Sequence, residues 1–236
     1  MRDEIVDRLL AVNQAFYTHF AAPFAYSRGS PQPGFMTLLD DLPRSPKRIL
    51  DIGCGNGRFG QFLRTHLPAF DYIGIDFTAD LLALAAEDVE GTFYERDISR
   101  AGFLHKLGDF DLIVCLATMQ HVPGRSNRLG LLCEIKEHLA PKGRIYLANW
   151  QFMSSARQRR KIRQWEEVGL SETDVETGDY LLSWQREGSG LRYVCSIDID
   201  ETAVLVEQAG LTIKNQFRSD GKEGNLNLYT ICMHKL

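Results

Sequence analysis

The chain lacks the usual means of covalent bracing and membrane anchoring. Its five cysteines, Cys54, Cys115, Cys133, Cys195 and Cys232, are scattered with no CxxC pair. An odd, unpatterned set points to free thiols in a reducing compartment, and away from a disulfide frame or a zinc site. The longest apolar run, Leu112 to Ala117, is far too short to span a bilayer. The opening segment, Met1-Arg-Asp-Glu-Ile-Val-Asp-Arg8, has no apolar core of the kind a signal peptide needs. These absences give the expectation of a cytoplasmic protein with no membrane contact and no bound metal. Excess positive charge is missing as well. The formal net charge is -4, which argues against a chain that grips nucleic acid unaided. There is no internal repeat and no low-complexity tract.

What is present is a globular composition. The 236 residues are 44% hydrophobic, enough for a sizeable core and one α/β domain with insertions. Apolar residues at helical spacing (Ile5, Leu9, Val12, Phe16, Phe20) predict a helix over residues 4–20. Pro23, Pro31, Pro33, Pro43 and Pro46 then break the chain into turns. From residue 48 onward short buried strands alternate with helices. The strands are expected at Arg48–Asp51, Asp71–Asp76, Phe93–Glu95, Asp111–Leu116 and Arg144–Asn149. The intervening helices are expected at Arg58–His66, Ala79–Ala86 and Asn127–Leu139. This pattern predicts a Rossmann-like, doubly wound, mostly parallel sheet covered on both faces. Residues 151–195 interrupt it with a charged, aromatic-rich segment. A helix at Glu201–Ala209 then resumes it, and strands at Leu211–Gln216 and Leu226–Cys232 are placed as an antiparallel hairpin at the sheet edge. The organisation expected is a single domain, with a helical cap at 1–44, a core at 45–150, an insert at 151–195 and closing elements at 196–236.

The most informative stretch is Arg48-Ile-Leu-Asp-Ile-Gly-Cys-Gly-Asn-Gly57. A buried strand ends at Asp51 and runs into a loop whose glycines at 53, 55 and 57 let backbone approach a ligand. A dinucleotide fingerprint would need its third glycine at position 58, where Arg58 stands. A carboxylate at the loop mouth repels a pyrophosphate and attracts a cation. S-adenosylmethionine (SAM) carries an ammonium and a sulfonium, so the loop suits SAM better than NAD or ATP. Asp76 follows 25 positions after Asp51, near the ~20-residue spacing of an acid that binds ribose hydroxyls. Asp97 could accept from an adenine amino group, with Ile98 packing on the ring or offering its N–H. An Asp at a strand end is often only a cap or turn residue, but these three fall in order at the carboxyl ends of strands, where such sheets bind ligands.

Here the chain resembles the class I SAM-dependent methyltransferases, over about residues 45–150. The likeness rests on Leu-Asp-Ile-Gly-Cys-Gly-Asn-Gly57, Gly-Ile-Asp76, Arg-Asp97 and Phe-Asp-Leu-Ile-Val-Cys-Leu-Ala-Thr-Met-Gln-His121. It implies that Asp51, Gly53, Gly55 and Gly57, with Cys54 inside the loop, hold the methionine part of SAM. Asp76 with Phe77 would hold the ribose, and Asp97 with Ile98 the adenine. Leu116 and Ala117 would pass under the methyl donor.

Methyl transfer is a direct displacement, and a base is needed only when the nucleophile arrives protonated. His121, just past the fourth strand, is the candidate base; its other reading is a loop histidine bonded to a backbone carbonyl. Tyr17 and Arg28, in an aromatic N-terminal segment, could reach the SAM carboxylate, or that segment could simply pack on the sheet. Arg157-Gln-Arg-Arg-Lys-Ile-Arg163 could meet phosphates, or form a solvated helix balanced by Glu166, Glu167 and Glu172. Trp150, Trp184, Arg192 and Tyr193 are the candidate acceptor-binding residues. Phe24-Ala-Tyr-Ser-Arg28, Gly178-Asp-Tyr-Leu-Leu-Ser-Trp184, Leu191-Arg-Tyr193 and Gly224-Asn225 are similar to segments of the tRNA wobble-uridine carboxymethyl methyltransferases. Ser183, Cys195, Ile197 and Leu226 depart from that family's pattern. That likeness implies a tRNA acceptor and a small activating protein partner. The other readings are O- or N-methylation of a small molecule, and a SAM-binding subunit without turnover.

Overall fold

The computed structural model describes residues 1–26, 30–185 and 188–235, and of Phe24 the backbone alone. The N-terminal cap comprises α1 (Asp3–His19), α2 (Ala21–Tyr26) and α3 (Pro33–Leu39). The alternating segment follows as β1 (Arg48–Ile52), α4 (Arg58–Arg64), β2 (Asp71–Asp76), α5 (Ala79–Asp88), β3 (Thr92–Glu95), β4 (Phe110–Leu116), α6 (Arg125–Glu137) and β5 (Leu139–Trp150). The insert holds α7 (Ala156–Arg159), β6 (Ile162–Arg163), β7 (Asp179–Trp184) and β8 (Gly190–Cys195). The chain closes with α8 (Ile199–Gln208), β9 (Leu211–Ser219) and β10 (Asn227–His234).

Seven strands form one sheet in the order β3-β2-β1-β4-β5-β10-β9. The first five run parallel, and β10 is antiparallel to both β5 and β9. This is the predicted doubly wound sheet with an antiparallel edge hairpin. Strand β1 shows why the pattern was readable. Ile49, Leu50, Asp51 and Ile52 are all buried, as expected of a central parallel strand covered on both faces. Its order reverses at β1 and β4, so the carboxyl ends of these two strands open the crevice in which ligands bind.

The insert differs from the sequence reading. It folds as its own three-stranded antiparallel sheet, β6-β7-β8. The basic run is not one long helix: α7 lasts four residues, and the chain turns at Arg160 into β6. One face of this small sheet joins the main core, where Leu181, Tyr193 and Cys195 pack in the same cluster as Leu50, Ile113 and Leu147. The other face, with Leu182 and Val194, packs on Phe152 and Trp150. Among the described residues no helix is long and apolar enough to cross a membrane.

Candidate functional site

The glycine loop turns on left-handed backbone. Gly53 has φ +70, and a Cβ there would collide with the Thr118 side chain; Gly55 has φ +55, and a Cβ there would meet no atom of the described residues within 4 Å. The first glycine therefore lets the loop lie against the turn after β4, and the second leaves room for a ligand. The loop is tied down by the Gly53 and Cys54 N–H groups, which donate to the Ile75 carbonyl at 2.7 and 3.0 Å. The cavity above it is lined by Asp51, Gly53, Cys54, Gly55, Arg58, Asp76, Phe77, Asp97, Ile98, Leu116, Ala117, Tyr17 and His121, among others.

Its polar groups match a zwitterionic nucleoside in order. Asp51 is buried and accepts from the Tyr72 hydroxyl at 2.7 Å. Burial pushes it up to about 7, the Tyr72 hydrogen bond pulls the other way, Asp76 adds to the rise and Arg58 opposes it. Arg58 stands over the Phe35 ring, 5.4 Å from its centroid. Burial lowers its pKa, while Tyr229, Asp220 and Asp51 act to raise it. Asp51 and Arg58 thus offer a carboxyl and a guanidinium in one cavity, the partners for an ammonium and a carboxylate on one carbon. Asp76 is likewise raised by burial. It accepts from Gly55 N at 3.0 Å and Thr78 N at 2.9 Å, one bond on each oxygen. Each oxygen keeps a second lone pair, the pair of acceptors a ribose diol needs. Asp97 is exposed at the far end, its Oδ1 accepting from the Ser99 N–H and hydroxyl at 2.9 and 2.6 Å. The residues fit SAM: Asp51 and Arg58 would hold its amino-acid end, Asp76 its ribose, and Asp97 with Ile98 its adenine.

Tyr17 and His121 close the side of this cavity. The Tyr17 hydroxyl is 3.0 Å from His121 Nε2, and His121 Nδ1 is 3.0 Å from the Tyr193 carbonyl. A carbonyl only accepts, so Nδ1 carries a proton and donates to it, and Nε2 faces the Tyr17 hydroxyl. Tyr17 also meets Phe77 edge-on, with centroids 5.8 Å apart. His121 thus bonds a backbone carbonyl through Nδ1, while Nε2 meets Tyr17 in the wall of the cofactor cavity. Asn13, buried on α1, fixes the arrangement. Its Nδ2 donates to the His121 carbonyl at 3.3 Å and its Oδ1 accepts from Tyr193 N at 2.8 Å.

A second cavity adjoins the first at Ala117 and His121 and is lined also by Gln120, Trp150, Arg157, Lys161, Trp184 and Arg192. Arg192 sits among aromatic rings, 4.9 Å from the Trp150 centroid, 5.7 Å from Trp184 and 5.4 Å from Phe16. Between the cavities lies Ala117, a non-glycine residue at φ 56. Such backbone costs of order 1 kcal/mol and gathers at functional sites.

Three expectations need correction or a boundary. Tyr193 does not face the acceptor cavity. It is fully buried, with its hydroxyl donating to Asp179 at 2.7 Å and accepting from Arg128 at 3.3 Å. Successive strand residues point to opposite faces, so Arg192 and Tyr193 could not both line one pocket. Arg157 and Lys161, read as part of a helical run, line the second cavity because that helix ends early. Arg28 lies outside the described residues. Sequence reasoning also missed Arg58, Asn13 and Gln120. Arg58 was noticed only as the residue that breaks a dinucleotide fingerprint, which was itself the available signal.

A model of the methyltransferase domain family matches residues 28–216. A candidate methyltransferase of Encephalitozoon cuniculi is 28% identical over 198 residues, 84% of this chain and 86% of that protein. Trans-aconitate 2-methyltransferase of Streptomyces avermitilis is 32% identical over 115 residues, 47% of this chain; the match spans only 40% of that relative's length. Among solved structures, a SAM-dependent methyltransferase of Methanosarcina mazei has a TM-score of 0.66 at 20% identity, covering 84% of this chain and 97% of that one. The family match spans most of the sequence, and the fold is that of SAM-dependent methyltransferases of known structure: the chain belongs to the methyltransferase domain family.

Proposed function

We propose that this domain transfers the methyl group of SAM to an oxygen or nitrogen nucleophile that enters through the second cavity. The observation that carries this is the junction: Ala117 and His121 border both cavities, so a donor in the first and an acceptor in the second would meet across one small side chain. SAM when bound supplies a methyl on a sulfonium, open to direct displacement. The chain's residues align the partners and exclude water, the two contributions this chemistry needs most. Tyr17, Phe77 and Leu116 wall the donor, and Trp150 and Trp184 wall the acceptor. His121 acts as a positioning residue through Tyr17.

The test combines SAH calorimetry with transfer of a tritiated methyl from SAM to small acids, alcohols, amines and bulk tRNA. Asp76→Ala is expected to lose at least about tenfold in SAH affinity, because a ribose diol is left without its acceptor. Trp184→Ala is expected to keep SAH affinity and lose transfer. Unchanged transfer in Trp184→Ala would rule out the second cavity as the acceptor site. Tight SAH binding with no labelled acceptor of any kind would favour the reading as a SAM-binding subunit without turnover.

One observation favours tRNA as the acceptor. Arg157 and Lys161 line the second cavity, and Arg159 and Arg160 are exposed beside them, which sets a basic mouth on a chain of net charge -4. Phosphates would seat there in a salt-sensitive way. A small activating partner belongs to this reading, and saturable, salt-dependent filter binding of bulk tRNA in the presence of SAH would support it. The absence of disulfides among Cys54, Cys115, Cys133, Cys195 and Cys232 supports action in the reducing cytoplasm.

A further inference from the structure

We propose that the acceptor is an anion and that Arg192 anchors it by a carboxylate. This rests on the second cavity being the acceptor's. Arg192 is only 5% exposed, lines that cavity, and makes no hydrogen bond or ion pair with any described residue, its buried Nε included. A desolvated guanidinium without a counter-ion is unfavourable. The faces of Phe16, Trp150 and Trp184 around it recover part of the loss as cation–π attraction. None of these rings accepts its N–H groups in the plane, and no described residue hydrogen-bonds them, so they are left for a ligand. Those groups form a planar fork, matched in shape and charge by a carboxylate.

The rest of the lining agrees in sign. Arg157 and Lys161 are the other charged residues of the cavity, and no Asp or Glu lines it among the described residues. The cofactor cavity next door presents Asp51, Asp76 and Asp97 beside one cation, Arg58. Among the described residues, acids predominate where a cationic donor would sit and bases where the acceptor would enter. Strand parity built the anchor. Arg192 shares its sheet face with Leu182, its partner in register across β7 and β8, while Tyr193 turns into the core.

The probe is benzoate, with benzamide as its neutral isostere, titrated into the SAH-bound full chain and read by tryptophan fluorescence. Trp150 and Trp184 flank the anchor, so occupancy changes their emission. Benzoate is expected to bind saturably and benzamide at least about tenfold more weakly, the usual worth of a charge-assisted pair. Arg192→Met is expected to erase that preference while SAH affinity stays within about twofold, and Arg192→Lys to keep part of it. Equal binding of benzoate and benzamide, no benzoate binding, or full preference in Arg192→Met would each overturn the anchor. The wild-type comparison stands even where a variant fails to fold. Failure of SAH to bind the wild type would instead overturn the cofactor reading. Quenching by bulk tRNA that benzoate relieves would assign the carboxylate to RNA, and benzoate binding without it to a small acid; both uphold the anchor.

Discussion

Asp51 holds a proton in the free protein near and below neutral pH, because burial lifts it to about 7. An ammonium ion is satisfied by the carboxylate and not by the acid. Cofactor binding below that pH therefore expels a proton, and SAH affinity is expected to fall about tenfold for each pH unit below 7. Calorimetry across that range checks it, and a flat profile would remove the ammonium from Asp51. Asp51→Asn is expected to bind weakly with no such slope. Arg58→Met is expected to lose about tenfold while keeping the slope, since its partner carboxylate does not titrate there. The free protein's stability runs the other way. The folded pKa exceeds the ordinary 3.8, so the folded chain binds more protons between about 4 and 7, and this contribution is lost as pH rises through that window. Asp51 and Asp76 stood out in the sequence because each falls at the carboxyl end of a buried strand, and Asp97 because it follows β3 by two residues in the same order along the sheet. Arg58 was not legible as a ligand group. Its value depends on Asp51 and Phe35 being its neighbours, and no spacing rule states that.

Elements decide which of the remaining side chains reach the site. The pair Arg192-Tyr193 was predicted as a unit, yet β8 sends one to the cavity and the other to the core. The face each takes depends on register against β7, which the sequence alone leaves open. Arg157 and Lys161 were misplaced for a similar reason: whether a basic run continues as a helix is decided by its packing into β6. Helix α1 shows the converse, since its apolar spacing was clear but its polar function was hidden. Asn13 is 2% exposed and joins α1 to the turn at His121 and to Tyr193 on β8. Asn13→Leu would strip partners from a buried carbonyl and a buried N–H, a loss of about 1–3 kcal/mol. The expected result is a lower melting temperature with faster amide exchange in α1 and β8. Exchange unchanged in both elements would show that α1 is held by its apolar face alone.

At the scale of the whole molecule, the insert and the sheet share one interior. Ile5 and Leu9 from α1, Leu50, Ile113 and Leu147 from the main sheet, and Leu181, Tyr193, Cys195 and Ile197 from the insert and the turn after it pack in a single cluster. Removing the insert would expose the face of α1 that packs on β8, so the insert cannot act as a detachable lid. One cooperative unfolding transition is expected in calorimetry, with equal calorimetric and van't Hoff enthalpies. SAH at about 100 times its dissociation constant should then stabilise the entire chain by about 2.7 kcal/mol and move that one transition upward. The competing arrangement, an insert that docks on a finished domain, predicts an early transition that SAH leaves in place. It also predicts that a chain lacking residues 151–195 still binds SAH. The shared core predicts that this chain does not, because Tyr193 anchors His121, His121 anchors Tyr17, and the wall of the cofactor cavity goes with them.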